Sequence, residues 1–227
     1  MANIISQIKN RKHLKWAGLF LLLLLLAGLG IYLLSPADLK KPPLFETVKN
    51  TYKINDGLLL DRHGQVIQEL RVDMQGRRLK WVSREEISPA FLQAVIWMED
   101  RRFYRHRGVD WLGLVSSALE NTVSERKRGG STITMQLSGL LRKRLTPRKG
   151  RRTLKQKWNQ MVAALELEKT WSKDQVLEAY VNLVSYRVEL QGLSAASRGL
   201  FDKDPSGLNE AESLILAALI TSPNAPV

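Results

Sequence analysis

The sequence predicts a mainly α-helical domain preceded by a small β-hairpin and one membrane-spanning helix. Three observations carry this. An uncharged run extends from Trp16 to Leu34, a turn-punctuated apolar stretch lies between Leu58 and Leu70, and helix-start signals recur from Ser88 onward. The chain has 227 residues, enough for one domain of ordinary size with appendages and too few for two large ones. With 44% hydrophobic and 25% charged residues it has the balance of a folded chain. It contains no cysteine, which excludes a disulfide framework, a thiolate metal site and a cysteine nucleophile. Lys and Arg number 35 against 22 Asp and Glu, a formal charge of +13 that points to nucleic acid, anionic lipid or a phosphorylated substrate.

The run at 16–34 would form a helix of roughly 28 Å, close to the hydrocarbon thickness of a bilayer. Lys9, Arg11, Lys12 and Lys15 precede it, while Asp38, Lys40 and Lys41 follow. The positive-inside bias therefore keeps residues 1–15 as a cytoplasmic tail and sends the remainder across, as in a single-pass membrane protein. A cleavable signal peptide is the rival reading, since Ser35 and Ala37 form a small-x-small pair. The length of the run and the interrupting Pro36 favour a retained anchor. Either way the main part leaves the cytoplasm, which removes nucleic acid as the partner.

Pro36, Pro42 and Pro43 mark residues 35–56 as an extended juxtamembrane linker. Residues 57–83 form a small β element. Leu58-Leu59-Leu60, the turn Asp61-Arg62-His63-Gly64 and the stretch Val66 to Leu70 make a hairpin, with Leu79-Lys80-Trp81-Val82 as a further strand to pair with it. Helices follow. Ser88 with Pro89 starts one, Ser172 with Gln175 forms a capping box for another, and Asn209 with Glu212 resembles a third, so 88–222 is mainly α.

Within the first of these helices Leu92, Ile96, Glu99 and Phe103 fall on one face if the helix continues that far. That would bring Glu99 to an apolar face, a setting suited to a general base or acid. The competing reading is a Glu99–Asp100 pair bridged to Arg101 or Arg102 at the helix end. His106, with no second His nearby, reads as a hydrogen-bonded structural residue. Gly129-Gly130-Ser131-Thr132-Ile133-Thr134-Met135-Gln136 runs a glycine pair into a hydroxyl-rich helix start, a place for phosphate oxygens or for simple capping by Ser131 or Thr132. Between 142 and 157 lie Arg142, Lys143, Arg144, Arg148, Lys149, Arg151, Arg152, Lys155 and Lys157 without an acid, a density that favours lipid headgroups or a lipid-linked phosphate. The next helix places Leu154, Trp158, Met161 and Leu165 on an apolar face and Lys157 with Gln160 on a polar one.

The order of these elements resembles a known family. Glu99-Asp100-x-x-Phe103-x-x-His106-x-Gly108, the segment 129–136, Leu167-Glu168 before Trp171-Ser172-Lys173, and Tyr180-Val181-Asn182 together resemble the peptidoglycan glycosyltransferases, the lysozyme-like domain of class A penicillin-binding proteins. The resemblance covers about 84–224. Thr134-Met135-Gln136, Leu190-Gln191-Gly192 and Ala195-Ala196-Ser197 are most similar to the C-type bifunctional members. It implies a two-lobed, lysozyme-like helical fold over 84–227. It further implies polymerisation of lipid II into a growing β-1,4 glycan strand, with inversion at the donor anomeric carbon and release of undecaprenyl diphosphate. Glu99 matches the family's general base. Asp100, Phe103, His106, Gly130, Ser131, Thr132, Thr134, Gln136, Arg148, Arg152, Lys155 and Lys157 are the substrate-binding candidates on the same ground.

Three positions depart from the family pattern. Gln160 stands where a second glutamate is usual; a carboxamide releases no acidic proton and is a poor ligand for a hard cation, so Mg²⁺ or Mn²⁺ is expected to matter only weakly. The C-type proteins share this glutamine. Gly139-Leu140 replaces Lys-Asn, leaving Arg142 or Lys143 to supply the missing phosphate contact, and Tyr186-Arg187 replaces Phe-Gly. Gln160 keeps a second reading open, a silent membrane-anchored scaffold that binds lipid II or other wall-synthesis proteins. A hydrolase would need a second carboxylate beside Glu99.

Overall fold

The computed structural model describes residues 41–73, 76–123, 130–142, 154–187 and 189–221, together with Gly30. The chain divides into two units, Met1–Leu39 and Lys40–Val227, and the fold described is that of the second. The expected membrane helix at 16–34 lies outside the described residues except for Gly30. Among the described residues no helix is long and apolar enough to cross a membrane.

The expected extended linker contains a helix, α1 (Phe45–Thr51). Tertiary packing overrides the prolines: Phe45 is buried edge-on against Trp81 and Trp171, and Trp171 Nε1 donates to Pro43 O at 2.9 Å. The hairpin forms as expected, from β1 (Asp56–Leu60) and β2 (Val66–Arg71). They pair antiparallel, Asp56 opposite Arg71 and Leu59 opposite Gln68, with a register shift after Leu59. Asp61 Oδ1 accepts from the N–H groups of His63 and Gln65 at 2.8 Å, which closes the turn.

The expected strand at Leu79–Val82 does not form. Instead β3 (Arg77–Arg78) pairs in parallel with β4 (Leu190–Gln191). Val82 is clamped by a side chain: its N–H donates to Asn182 Oδ1 at 2.9 Å and its carbonyl accepts from Asn182 Nδ2 at 2.8 Å. A carboxamide presents an N–H donor and a carbonyl acceptor side by side, so it replaces the partner strand for that one residue.

Seven further helices follow α1 among the described residues: α2 (Pro89–Glu99), α3 (Trp111–Val123), α4 (Ile133–Leu141), α5 (Leu154–Leu167), α6 (Lys173–Leu183), α7 (Leu193–Phe201) and α8 (Glu210–Thr221). The expected starts are present. Pro89 occupies the first turn of α2, Ser172 and Gln175 cap α6 reciprocally, and Asn209 and Glu212 exchange bonds at 2.9 and 3.0 Å ahead of α8. The Ser88 hydroxyl caps nothing; it donates to Leu208 O at 2.9 Å and ties α2 to the approach of α8, along which α2 packs.

Helix α4 is apolar nearly all round and lies between two cores. Ile133 and Leu137 join the main cluster with Phe91, Phe103, Leu177 and Tyr180, while Met135 joins a smaller one with Val109, Met161 and Ala164. Packed against α5 and α6, α4 is fixed from both sides. Gln160 on α5 is a correction to the expected polar face shared with Lys157. It is 1% exposed and lies in the α4–α5 contact, where a side chain added at Gly139 would come within 2.8 Å of its Nε2. Two of the departures from the family pattern, Gly139 and Gln160, are thus neighbours: the missing side chain at one makes room for the other.

Candidate active site

The site is built where α2 ends. The expected continuation of this helix to Phe103 does not occur. The chain leaves α2 after Glu99, and Phe103 sits in a short 3₁₀ turn, wholly buried. Asp100, the first residue beyond the helix, accepts from the Ile133 N–H at 3.1 Å, an otherwise unsatisfied donor at the start of α4. Both Asp100 oxygens also lie 3.0 Å from His106 Nε2. His106 is therefore hydrogen-bonded, as its isolation implied, to the carboxylate that also meets the start of α4.

Thr132 completes the junction. Its Oγ1 accepts from Met135 N–H at 3.1 Å as the N-cap of α4 and donates to Gly108 O at 2.5 Å. Gly108 has φ +77°, and a side chain there would sit 2.6 Å from Ala164 O, so the chain passes α5 only as glycine. The spacing His106-x-Gly108 thus serves close passage, and the loop that follows α2 meets α4 and α5 there.

Glu99 projects from this junction into a cleft of about 440 Å³. Its Oε2 accepts from Gln136 Nε2 at 2.6 Å and its Oε1 from Thr221 Oγ1 at 2.6 Å. Among the described residues no cation pairs with it, which sets aside the helix-end salt bridge. Asp100, Gly130, Ser131, Thr132 and Gln136 line the same cleft, so these candidates are brought together with Glu99. Phe103 and Thr134 are not: both are 0% exposed, and the Thr134 hydroxyl donates to Glu168 Oε1 at 2.5 Å, which also accepts from Lys173 Nζ at 2.7 Å. Gln160, Lys155 and Lys157 also lie outside the lining, Lys155 exposed on the first turn of α5. Arg148 and Arg152 lie outside the described residues.

Several residues of the cleft were not among the site candidates of the sequence. Arg102 donates through Nε and a terminal nitrogen to the two oxygens of Asp110, at 2.9 and 2.6 Å. Burial pushes the Asp110 carboxyl up, but the Gly113 N–H and the Arg102 guanidinium outweigh it and hold the group below its ordinary value. Arg101 lies over the Trp97 ring, 4.0 Å from its centre. Thr221, 122 positions from Glu99, meets it only because α8 lies along α2.

Comparison with known proteins decides the family. The pattern described as Transglycosylase matches residues 63–226. The chain belongs to this family. Similar relatives include "Biosynthetic peptidoglycan transglycosylase" of Pasteurella multocida, 38% identical over 144 residues, covering 63% of this chain and 56% of that protein. The protein of the same name from Acinetobacter baylyi is 35% identical over 145 residues, 63% and 62% of the two chains. "Penicillin-binding protein 2D" of Bacillus subtilis is 33% identical over 150 residues, 66% of this chain and 21% of that one. In each case this chain covers less than two thirds of the relative's length. The family match opens in the hairpin turn, at His63, earlier than the expected domain start at 84.

The side chains in the site do not fit a divalent ion. Asp100 is held by His106 and the Ile133 N–H, Asp110 is paired with Arg102, and Gln160 contributes an amide buried between helices, so among the described residues Glu99 has no second free carboxylate beside it to share an ion. Among the described residues no group of three His, Asp or Glu converges.

Proposed function

We propose that the chain polymerises lipid II, acting as an inverting glycosyltransferase on a membrane-bound polyprenyl diphosphate. The observation that carries this reading is the setting of Glu99: a carboxylate open to a cleft, oriented by neutral donors and paired with no cation among the described residues. A carboxylate so placed retains lone pairs for a proton, which an ammonium or guanidinium partner would compete for. Glu99 takes the proton of the acceptor's 4-hydroxyl as that oxygen attacks the donor anomeric carbon; the bond to diphosphate breaks on the opposite face, so the α-linked donor gives a β-linked product. The leaving diphosphate carries off the bonding electrons, and its charge is met by basic side chains of the 142–157 segment, for which Arg148, Arg152, Lys155 and Lys157 are the candidates.

In this reading the 16–34 segment anchors the chain in the bacterial cytoplasmic membrane and the catalytic unit faces outward. Divalent cations contribute weakly, because the donor set offers no free carboxylate cluster. The likeness to the C-type bifunctional proteins rests on the Thr134-Met135-Gln136, Leu190-Gln191-Gly192 and Ala195-Ala196-Ser197 segments, and those proteins share Gln160.

The test is incubation of the detergent-purified protein with labelled lipid II, with and without Mg²⁺ or Mn²⁺. Long glycan with little metal response is the expected result. Tight binding without turnover would make the chain a scaffold, the reading that Gln160 keeps alive, and cleavage of preformed glycan would make it a hydrolase.

A further inference from the structure

Glu99 is held from two sides, by the Gln136 amide and by the Thr221 hydroxyl. Tyr180 is 0% exposed, and its hydroxyl donates to Gln136 Oε1 at 2.9 Å. The other end of the same amide donates from Nε2 to Glu99 Oε2 at 2.6 Å. An amide has one accepting and one donating end, so what meets the first decides what the second presents. With a phenol donating into Oε1, Gln136 offers Glu99 an N–H; with the amide reversed, carbonyl and carboxylate oxygens would face each other. On the other carboxylate oxygen, Thr221 donates at 2.6 Å from the last residue of α8.

We infer that Tyr180, acting through Gln136, and Thr221 are positioning residues that fix the plane of the Glu99 carboxylate. The inference rests on Glu99 serving as the general base. The terminal torsion of a glutamate is broad and nearly two-fold, so without such donors the carboxylate turns freely and spends less time aimed at the attacking hydroxyl. The two donors approach from different helices, α4 and α8, and hold opposite oxygens, leaving the remaining lone pairs for the cleft. Burial and the charge of Glu99 push the Tyr180 phenol well above its ordinary range, so the donor is present wherever the enzyme works.

The two residues act on orientation, so their loss lowers kcat and leaves KM nearly unchanged. The experiment compares kcat and KM for labelled lipid II in wild type, Glu99→Gln, Tyr180→Phe, Thr221→Val, Thr221→Ser, Gln136→Ala and the Gln136→Ala/Tyr180→Phe double variant, with thermal midpoints as the fold control. Removal of either hydroxyl is expected to lower kcat on the order of tenfold, the scale of one hydrogen bond to a charged group. Thr221→Ser keeps the hydroxyl and restores kcat. Tyr180→Phe adds nothing in the Gln136→Ala background, since the phenol acts only through that amide. Equal losses from Tyr180→Phe in both backgrounds would make it a packing residue and overturn the relay. Native kcat in Tyr180→Phe and Thr221→Val beside an inactive Glu99→Gln overturns the positioning while the base stands; an active Glu99→Gln overturns the base and the positioning with it.

Discussion

Glu99 and Glu178 are both helix carboxylates with several hydrogen-bond donors, yet they occupy opposite kinds of environment. Glu178, with 10% of its side chain exposed, accepts from Lys49 Nζ at 3.2 Å, Trp81 Nε1 at 2.8 Å and the Arg84 N–H at 3.1 Å. It gathers α1, the segment after β3 and a 3₁₀ turn onto α6. Glu168 is of the same kind, with Lys173 and Thr134 as its donors. Each has a lysine partner and faces away from the cleft. Glu99 has neutral donors and an open side. The difference separates carboxylates that tie the fold from Glu99, the carboxylate we propose as the base: a buried charge is tolerated when a cation neutralises it, and a base is useful when none does.

The largest effect expected from breaking this contrast is in Glu99→Gln, which keeps size and hydrogen-bonding capacity while removing the base. Glycan synthesis should fall about 10²- to 10⁴-fold with the thermal midpoint little changed. Undiminished synthesis by the folded variant would remove Glu99 from the chemistry.

Glu178→Ala should do the reverse. Three donors lose their acceptor and Lys49 its counter-ion, so the fold loses roughly 3 kcal/mol. Chemical denaturation should show an earlier midpoint, while kcat per folded molecule stays near the native value; a stable variant with low kcat would place Glu178 in the catalytic machinery instead.

Gln160 sharpens the comparison, since a residue expected beside Glu99 lies with the fold-tying groups. Gln160→Ala opens space against Gly139 and should cost about 2 kcal/mol, seen as a lower melting temperature. The KM for lipid II should shift less than about twofold, because Gln160 does not line the cleft. A large KM change at unaltered stability would return this position to the site.

The smallest effect concerns alkaline pH. Burial, only partly offset by the Arg78 charge, pushes the Tyr52 phenol up to about 12. A phenol whose folded value exceeds its unfolded value of about 10 favours folding fully below pH 10, and that contribution is lost as pH rises through 12. Melting temperatures between pH 9 and 12 should fall less steeply in Tyr52→Phe than in the native chain. Identical slopes would show that Tyr52 does not couple to unfolding.

Much of the architecture was legible locally. Pro89 at a helix start, the Ser172–Gln175 and Asn209–Glu212 boxes and the Asp61 turn are interactions between residues at most four apart, so the chain itself specifies them. The helix at Phe45–Thr51 and the failed strand at Leu79–Val82 were not legible, because a tryptophan pair and Asn182 decide them from a distance.

The site divides the same way. By itself the sequence determined that Glu99, Asp100 and the 129–136 segment belong to one family pattern, through their residue types and order. Only the tertiary structure decided which of them share a cleft. Phe103 and Thr134 turn into the core, Gln160 lies between α4 and α5, and Thr221 reaches Glu99 across 122 positions. The physical reason is one of range: caps and turns are settled within a few residues, whereas the aim of a carboxylate depends on donors from helices that meet only after the whole chain has packed.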